Sequence, residues 1–175
     1  MITIRPLPLD ELLAAGVAQL LEVHWREIAL YQDRVRLDVD YDRYRELDAA
    51  GRLLCLAAFD CDRLIGYAAW ILTFHLHYRQ CLMGANDVIF VLPEYRSRST
   101  AGVRLIRESE RYLKQLEVHR IIMHVKPAKD WTAILTRMGY EQEEIIMGKY
   151  IGAEDRSDVI EEQAMAPSRS VEHAS

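Results

Sequence analysis

Two periods of apolar residues divide this chain into helices and strands. Ile2 and Ile4 alternate with Thr3 and Arg5, the period-two mark of a strand, and Pro6 and Pro8 stop it. Over residues 9–31, Leu12, Leu13, Val17, Leu20, Leu21, Val23, His24 and Ile28 fall near helical spacing behind the acidic Asp10 and Glu11. This predicts one long amphipathic helix. Residues 40–50, closed by Gly51, predict a shorter and more polar helix with Tyr41, Tyr44 and Leu47 on one face. After Gly51 the period changes, and residues 53–59 and 64–74 predict two antiparallel strands joined by the short polar connection Asp60-Cys61-Asp62-Arg63. Gly84 to Asn86 introduce a further strand over 87–92, ended by Pro93. A helix is then predicted over 100–116 with Val103, Ile106, Leu113 and Leu116 buried, followed by a strand over 119–125 and a helix over 129–138. Residues 139–151 read as a final strand pair or one long strand.

The order β, α, α, β, β, β, α, β, α, β is neither a regular alternation nor strands followed by helices. It predicts an α/β fold with a mixed, mostly antiparallel central sheet flanked by helices. At 175 residues, half of them apolar, the chain suits one domain with a single core. That domain is expected over residues 1–151, and the aperiodic stretch 152–175 reads as a flexible tail.

Charge narrows the class of partner. With 22 basic and 27 acidic residues the net charge is −5, which argues against a nucleic-acid coat. Locally, Lys and Arg gather between Arg96 and Arg111 and at Lys126 and Lys129, so an anion site fits inside an acidic protein. Cys55, Cys61 and Cys81 are odd in number and lack metal-ligand spacing, which favours a reducing, cytoplasmic compartment and no metal. The N-terminus lacks signal-peptide character and no run is long enough to span a membrane, so no membrane role is expected.

The most telling stretch is Val88 to Ile106, read as a buried strand, a tight basic turn and a helix start. A helix N-terminus presents N–H groups without internal partners and about half a positive charge. An anion is therefore stabilised there. Ser97, Ser99, Thr100, Ala101 and Gly102 are small enough to let a ligand approach the backbone, and Arg96 and Arg98 add fixed charge suited to a diphosphate. The alternative reading of the same residues is a well-capped helix entry with a solvated basic rim.

The order of elements, taken with Val91-Leu-Pro-Glu-Tyr-Arg-Ser-Arg-Ser-Thr-Ala-Gly102, resembles the GCN5-related N-acetyltransferase (GNAT) superfamily, which binds acetyl-coenzyme A. That family's turn motif maps best onto Arg96, Ser97, Arg98, Ser99, Thr100 and Ala101. Serine stands at the usual first glycine, and one extra residue precedes the helix. His75-Leu-His-Tyr78, Asn86 to Phe90, Arg107 to Arg111, His124 to Pro127 and Leu135 to Tyr140 extend the resemblance to a phage or prophage subgroup. The resemblance implies a GNAT-like acyl-CoA fold with acetyl-CoA as acyl donor. It also implies main-chain pairing of the donor's pantetheine arm near Phe90, Val91 and Leu92, and a pyrophosphate held by the N–H groups of residues 98–102. The implied acceptor is a small-molecule amine, a protein lysine or an N-terminus, in a host cytoplasm if the chain is phage-encoded. A homodimer is compatible with it.

Amine acylation needs a proton acceptor for the incoming ammonium and a proton source for the leaving thiolate. Asp87 lies six residues before Pro93, where several family members carry glutamate, and is the candidate base; a turn-capping aspartate is the alternative. His75 and His77, two apart in a strand, share a face and are candidates for acceptor binding or proton relay. The family's usual general-acid tyrosine falls on Leu135, which leaves Tyr140, with Tyr95 and Tyr78, as candidates by type. Trp25, Tyr31, Tyr41 and Tyr44 fall where such proteins shape the acceptor site, although aromatics at helical spacing more often fill a core. Two further readings stand beside the enzyme: a binding module of the same fold that contacts a host or partner protein, and a modifier of amino-bearing bases guided by Arg104, Arg107 and Arg111.

Overall fold

The structure is a computed structural model that describes residues 1–97 and 99–152. Arg98 and the tail from residue 153 lie outside the described residues. By internal contacts the chain forms two units, Met1–Ala29 with Leu37–Glu141, and Leu30–Arg36 with the chain from Gln142 onward.

In the larger unit, β1 (Ile2–Pro6) leads into α1 (Leu9–Ala14), α2 (Val17–Ile28) and α3 (Tyr41–Ala49). β2 (Leu53–Asp60), β3 (Arg63–His75) and β4 (Tyr78–Val91) follow, then a helical turn α4 (Pro93–Arg96), α5 (Ala101–Gln115), β5 (Arg120–Ile122), a 3-10 turn at Pro127–Lys129 and α6 (Thr132–Arg137). The sheet order is β1-β2-β3-β4-β5, antiparallel except for the parallel pair β4–β5. The expected mixed, mostly antiparallel sheet flanked by helices is the observed fold.

Several elements differ from the sequence reading. The single helix over 9–31 is two helices, because Gly16 adopts φ 90°, a left-handed conformation that ends α1 and starts α2. β4 begins at Tyr78, not at Asp87. Gly84 and Asn86, read as the lead-in to the strand, sit inside it, and a Cβ at Gly84 would lie 3.0 Å from Leu113 of α5. The buried stripe of α5 is Ala101, Leu105, Ile106, Ser109 and Leu113, whereas Leu116 is exposed. Residues 139–151 contain no strand among the described residues: Ile145, Ile146 and Met147 form an exposed apolar run behind acidic Glu141, Glu143 and Glu144, with no alternation to bury.

The two faces of the sheet are set by one irregularity. Val88 pairs with Ala69 and Asn86 with Trp70, so Asp87 has no cross-strand partner and forms a bulge. C-terminal to the bulge, Phe90 stands opposite Tyr67 and stacks on His24 of α2, ring centroids 5.0 Å apart. N-terminal to it, Gly84 meets α5. Helices α2 and α5 thus cover opposite faces, and Trp70, Leu56, Ile65, Leu105 and Leu113 fill the core between them. Within the smaller unit, the Tyr150 ring lies 5.5 Å from Tyr31 and 5.8 Å from the Arg34 guanidinium. No helix among the described residues is long and apolar enough to cross a membrane.

Candidate active site

The parallel strands β4 and β5 pair over only three positions, Met83–Arg120, Gly84–Ile121 and Ala85–Ile122, and then diverge. At the apex the buried Asn86 carboxamide replaces the lost ladder: its oxygen accepts from the His124 N–H at 2.5 Å and its nitrogen donates to the His124 carbonyl at 3.5 Å. Beyond it, the Leu92 N–H goes to Ile65 of β3. By the alternation of an antiparallel ladder, the main-chain groups of Phe90 and Leu92 then face β3, and those of Ile89 and Val91 face the opening. Of the three residues singled out there from the sequence, Val91 turns its main chain toward the cleft, although its carbonyl accepts from Arg96 Nε at 2.7 Å. Ile89, which sequence reasoning passed over, turns its main chain the same way.

The chain leaving β4 passes through α4 to the start of α5. Thr100 is the N-cap, and the Ser99 hydroxyl donates to the Tyr95 carbonyl at 2.6 Å while accepting from the Ala101 N–H at 3.2 Å. A Cβ at Gly102 would touch nothing, so this end of the helix is open. A cavity of about 530 Å³ is lined by Ser97, Ser99, Thr100, Arg104 and Ile2, with Arg104 donating to the Ile2 carbonyl. Arg96 behaves differently from a free phosphate ligand. Its guanidinium pairs with both carboxylate oxygens of Glu27 (2.5 and 2.6 Å), its Nε donates to the Val91 carbonyl at 2.7 Å, and its plane lies over Phe90. Lys129 adds a second cation at 2.9 Å, and these partners, Arg96 foremost, hold the Glu27 carboxyl down at about 2.

On the α2 face of β4, the bulge turns Asp87 outward, where its carboxylate accepts a hydrogen bond from the Tyr44 hydroxyl of α3. Asp87 is exposed, between the buried Asn86 and Val88. Burial, then the bond to Asp87, pushes the Tyr44 phenol well above its ordinary value. Beside this pair stands Tyr67, 4 % exposed, with a hydroxyl that has no hydrogen-bond partner among the described residues. His24, nearly buried, is pushed down to about 4 by desolvation, so its imidazole is neutral near pH 7.

The other candidates lie elsewhere. His75 ends β3 and His77 is at the tip of the β3–β4 hairpin, where His77 N–H donates to His75 Nδ1 and His75 packs on Tyr78. Asp87 is nine positions along β4 from Tyr78, about 30 Å at strand rise, so the histidines are not brought to it. The Tyr140 hydroxyl donates to Glu110 of α5, on the opposite face of the sheet from Asp87, and Leu135 is buried. Sequence reasoning missed Glu27 and Asn86. The only sequence signal for either was a polar residue inside an apolar-periodic element. Among the described residues no group of three His, Cys, Asp or Glu side chains could hold a metal ion.

The sequence model of the Acetyltransferase (GNAT) family matches residues 17–140. The chain belongs to this family of acetyltransferases. GNAT proteins use acetyl-CoA as donor, and the divergent β4–β5 edge ending at a helix N-terminus is the feature of this chain that suits such a donor. Solved structures share the fold. An aminoglycoside acetyltransferase from an uncultured soil metagenomic sample, in complex with trehalose, is 12 % identical, with 87 % of this chain and 97 % of that chain covered and a TM-score of 0.66. Glucosamine-6-phosphate N-acetyltransferase from Arabidopsis thaliana is 13 % identical over 87 % and 99 % of the two chains, with a TM-score of 0.64. A predicted acetyltransferase from Clostridium acetobutylicum, with acetyl-CoA, is 12 % identical over 86 % and 96 %, with a TM-score of 0.60. No curated protein matches this GNAT chain.

Proposed function

We propose that this chain transfers the acetyl group of acetyl-CoA to a primary amine by direct attack in a ternary complex. The observation that carries this reading is the outward main-chain edge of β4 at Ile89 and at the Val91 N–H, beyond the end of the β4–β5 pairing and followed along the chain by the start of α5. In this reading Ile89 and Val91 pair with the amides of the pantetheine arm. The start of α5, with Ser97, Ser99, Thr100, Ala101 and Gly102, faces the pyrophosphate. Arg96, its donors held by Glu27 and the Val91 carbonyl, braces the end of β4 beside the donor. The donor supplies an acetyl carbon activated by sulfur. Asp87 takes the proton that the ammonium must shed, the amine nitrogen bonds to the acetyl carbon, the C–S bond breaks, and the nitrogen's second proton passes through water to the departing sulfur, because Leu135 stands where the family's tyrosine would be.

Fold relatives act on aminoglycosides and on glucosamine 6-phosphate, so amino sugars head the acceptors to test, with lysine peptides beside them. We place the reaction in the cytoplasm, a host's if the phage-type resemblance applies. A second reading, a binding module without turnover, is favoured by the buried Leu135.

Thermal shifts with acetyl-CoA and desulfo-CoA, followed by thiol release across the amine panel, separate the two readings. Both coenzymes should stabilise the protein. Asp87→Asn should keep that stabilisation while losing about 100-fold or more in turnover, the scale of a general base. Stabilisation with no thiol release from any amine would favour the module, and unchanged turnover in Asp87→Asn would remove Asp87 as the base.

A further inference from the structure

Asp87 is an exposed carboxylate on a strand bulge, a place where nothing in the strand itself fixes its rotamer. What fixes it comes from α3. The Tyr44 hydroxyl donates to Oδ2 and leaves Oδ1 unclaimed by that bond. Helix α3 is itself well anchored: the Asp40 side chain caps it by accepting from the Arg43 N–H at 2.8 Å, and Asp48 accepts from the Leu9 N–H of α1 at 3.0 Å. Tyr44 is half-buried and packs against the core, so it holds the carboxylate from a fixed base.

Tyr67 adds an independent observation. Its ring is well used, packed across from Phe90 with centroids 6.3 Å apart, but its hydroxyl is buried without a partner among the described residues. A buried hydroxyl in that state costs stability, and phenylalanine would serve the core better. Tyr67 stands opposite Phe90, three residues along β4 from Asp87 and on the same face of the sheet.

We propose that Tyr44 and Tyr67 are positioning residues for amine acylation: Tyr44 orients the Asp87 carboxylate so that Oδ1 meets the incoming ammonium, and the Tyr67 hydroxyl is kept to support that pair. The proposal rests on the acyl transfer assigned to Asp87 above. It narrows the acceptor to an amine that enters from the α2–α3 face of β4.

The test is steady-state thiol release from acetyl-CoA with the best amine of a panel of glucosamine 6-phosphate, an aminoglycoside and a lysine peptide, together with melting temperatures. Tyr44→Phe should lower kcat about tenfold with the KM for acetyl-CoA unchanged. Tyr44→Gln, which keeps an N–H donor, should recover part of that loss. Tyr67→Phe should melt at or above the parent temperature and yet lose severalfold in kcat. Full turnover in both phenylalanine variants would overturn the proposal while leaving acyl transfer intact, as would losses of kcat that simply follow losses of melting temperature. A parent inactive on the whole panel would overturn the acyl-transfer reading and this inference with it.

Discussion

Glu27 holds together more of the site than any residue that would touch a ligand. From α2 it binds Arg96, which follows β4, and Lys129, which follows β5, so one carboxylate ties a helix to both arms of the divergence. Its side chain is 16 % exposed against 38 % for Arg96 and 55 % for Lys129, so the cluster lies between a solvated ion pair and a buried one. Exposed pairs contribute about 0–1 kcal/mol, and hydrogen bonds to charged groups about 1.5–3. Glu27→Gln, which keeps the shape and drops the charge, should therefore cost about 1–2 kcal/mol, read as a lower urea midpoint at constant m. A midpoint equal to the parent's would mean that the cations are as well served by water. These residue pairings were the least legible part of the chain. Asp87 could be picked by its offset from Pro93, but its partner Tyr44 lies 43 residues earlier and the partner of Arg96 69 residues earlier. Arg96 reads as a phosphate ligand from its local setting alone, because nothing local shows that a carboxylate has already claimed it.

At the scale of elements, legibility followed how strictly the apolar period was kept. β2 and β3 alternate or run apolar between clear turns and were read nearly to the residue, whereas β4 was cut short by Gly84 and Asn86, whose reasons are tertiary: room for Leu113 and the bridge to His124. Gly66 gives the same lesson on the neighbouring strand. A Cβ there would lie 2.7 Å from the Phe90 carbonyl and 2.9 Å from Val91 Cγ2, in the last pair of the β3–β4 ladder, beside the edge assigned to the donor. Neither strand can give way cheaply, since Tyr67 and Phe90 are packed on one side of it and Ile65 is fully buried on the other. Gly66→Ala should cost about 1–3 kcal/mol, the range for overpacking a core, and should weaken the thermal shift produced by acetyl-CoA. Gly16→Ala is the control in a different element. It too is strained, by its φ of 90°, but has open space around the new methyl, so it should cost about 1 kcal/mol and leave the acetyl-CoA shift unchanged. Equal effects of the two variants on the acetyl-CoA shift would separate Gly66 from the donor edge.

For the whole molecule, the α2 side of the sheet sets the response to acid. His24 is held to about 4 by desolvation against an ordinary value of 6.5, so between those pH values the unfolded chain binds a proton that the folded chain refuses. The sign follows: the contribution is fully present above about pH 6.5 and is lost as pH falls toward 4. Glu27 behaves likewise at lower pH, its contribution present above its ordinary 4.5 and lost as pH falls toward 2, as protonation frees Arg96 and Lys129. Urea midpoints measured from pH 8 to pH 3 should thus begin to fall below about pH 6.5, well before most carboxylates titrate. His24 faces Glu27 from its own helix, Asp87 from β4, and Arg96 and Lys126 from the two arms, and the cations reinforce its neutrality. His24→Gln removes the titrating group while keeping a polar side chain beside Phe90, so the fall between pH 6.5 and 4 should flatten and the steeper loss below 4.5 should stay. A profile unchanged by His24→Gln would assign the early acid sensitivity to other groups and would mean that the folded protein accepts a proton at His24 as readily as the unfolded chain does.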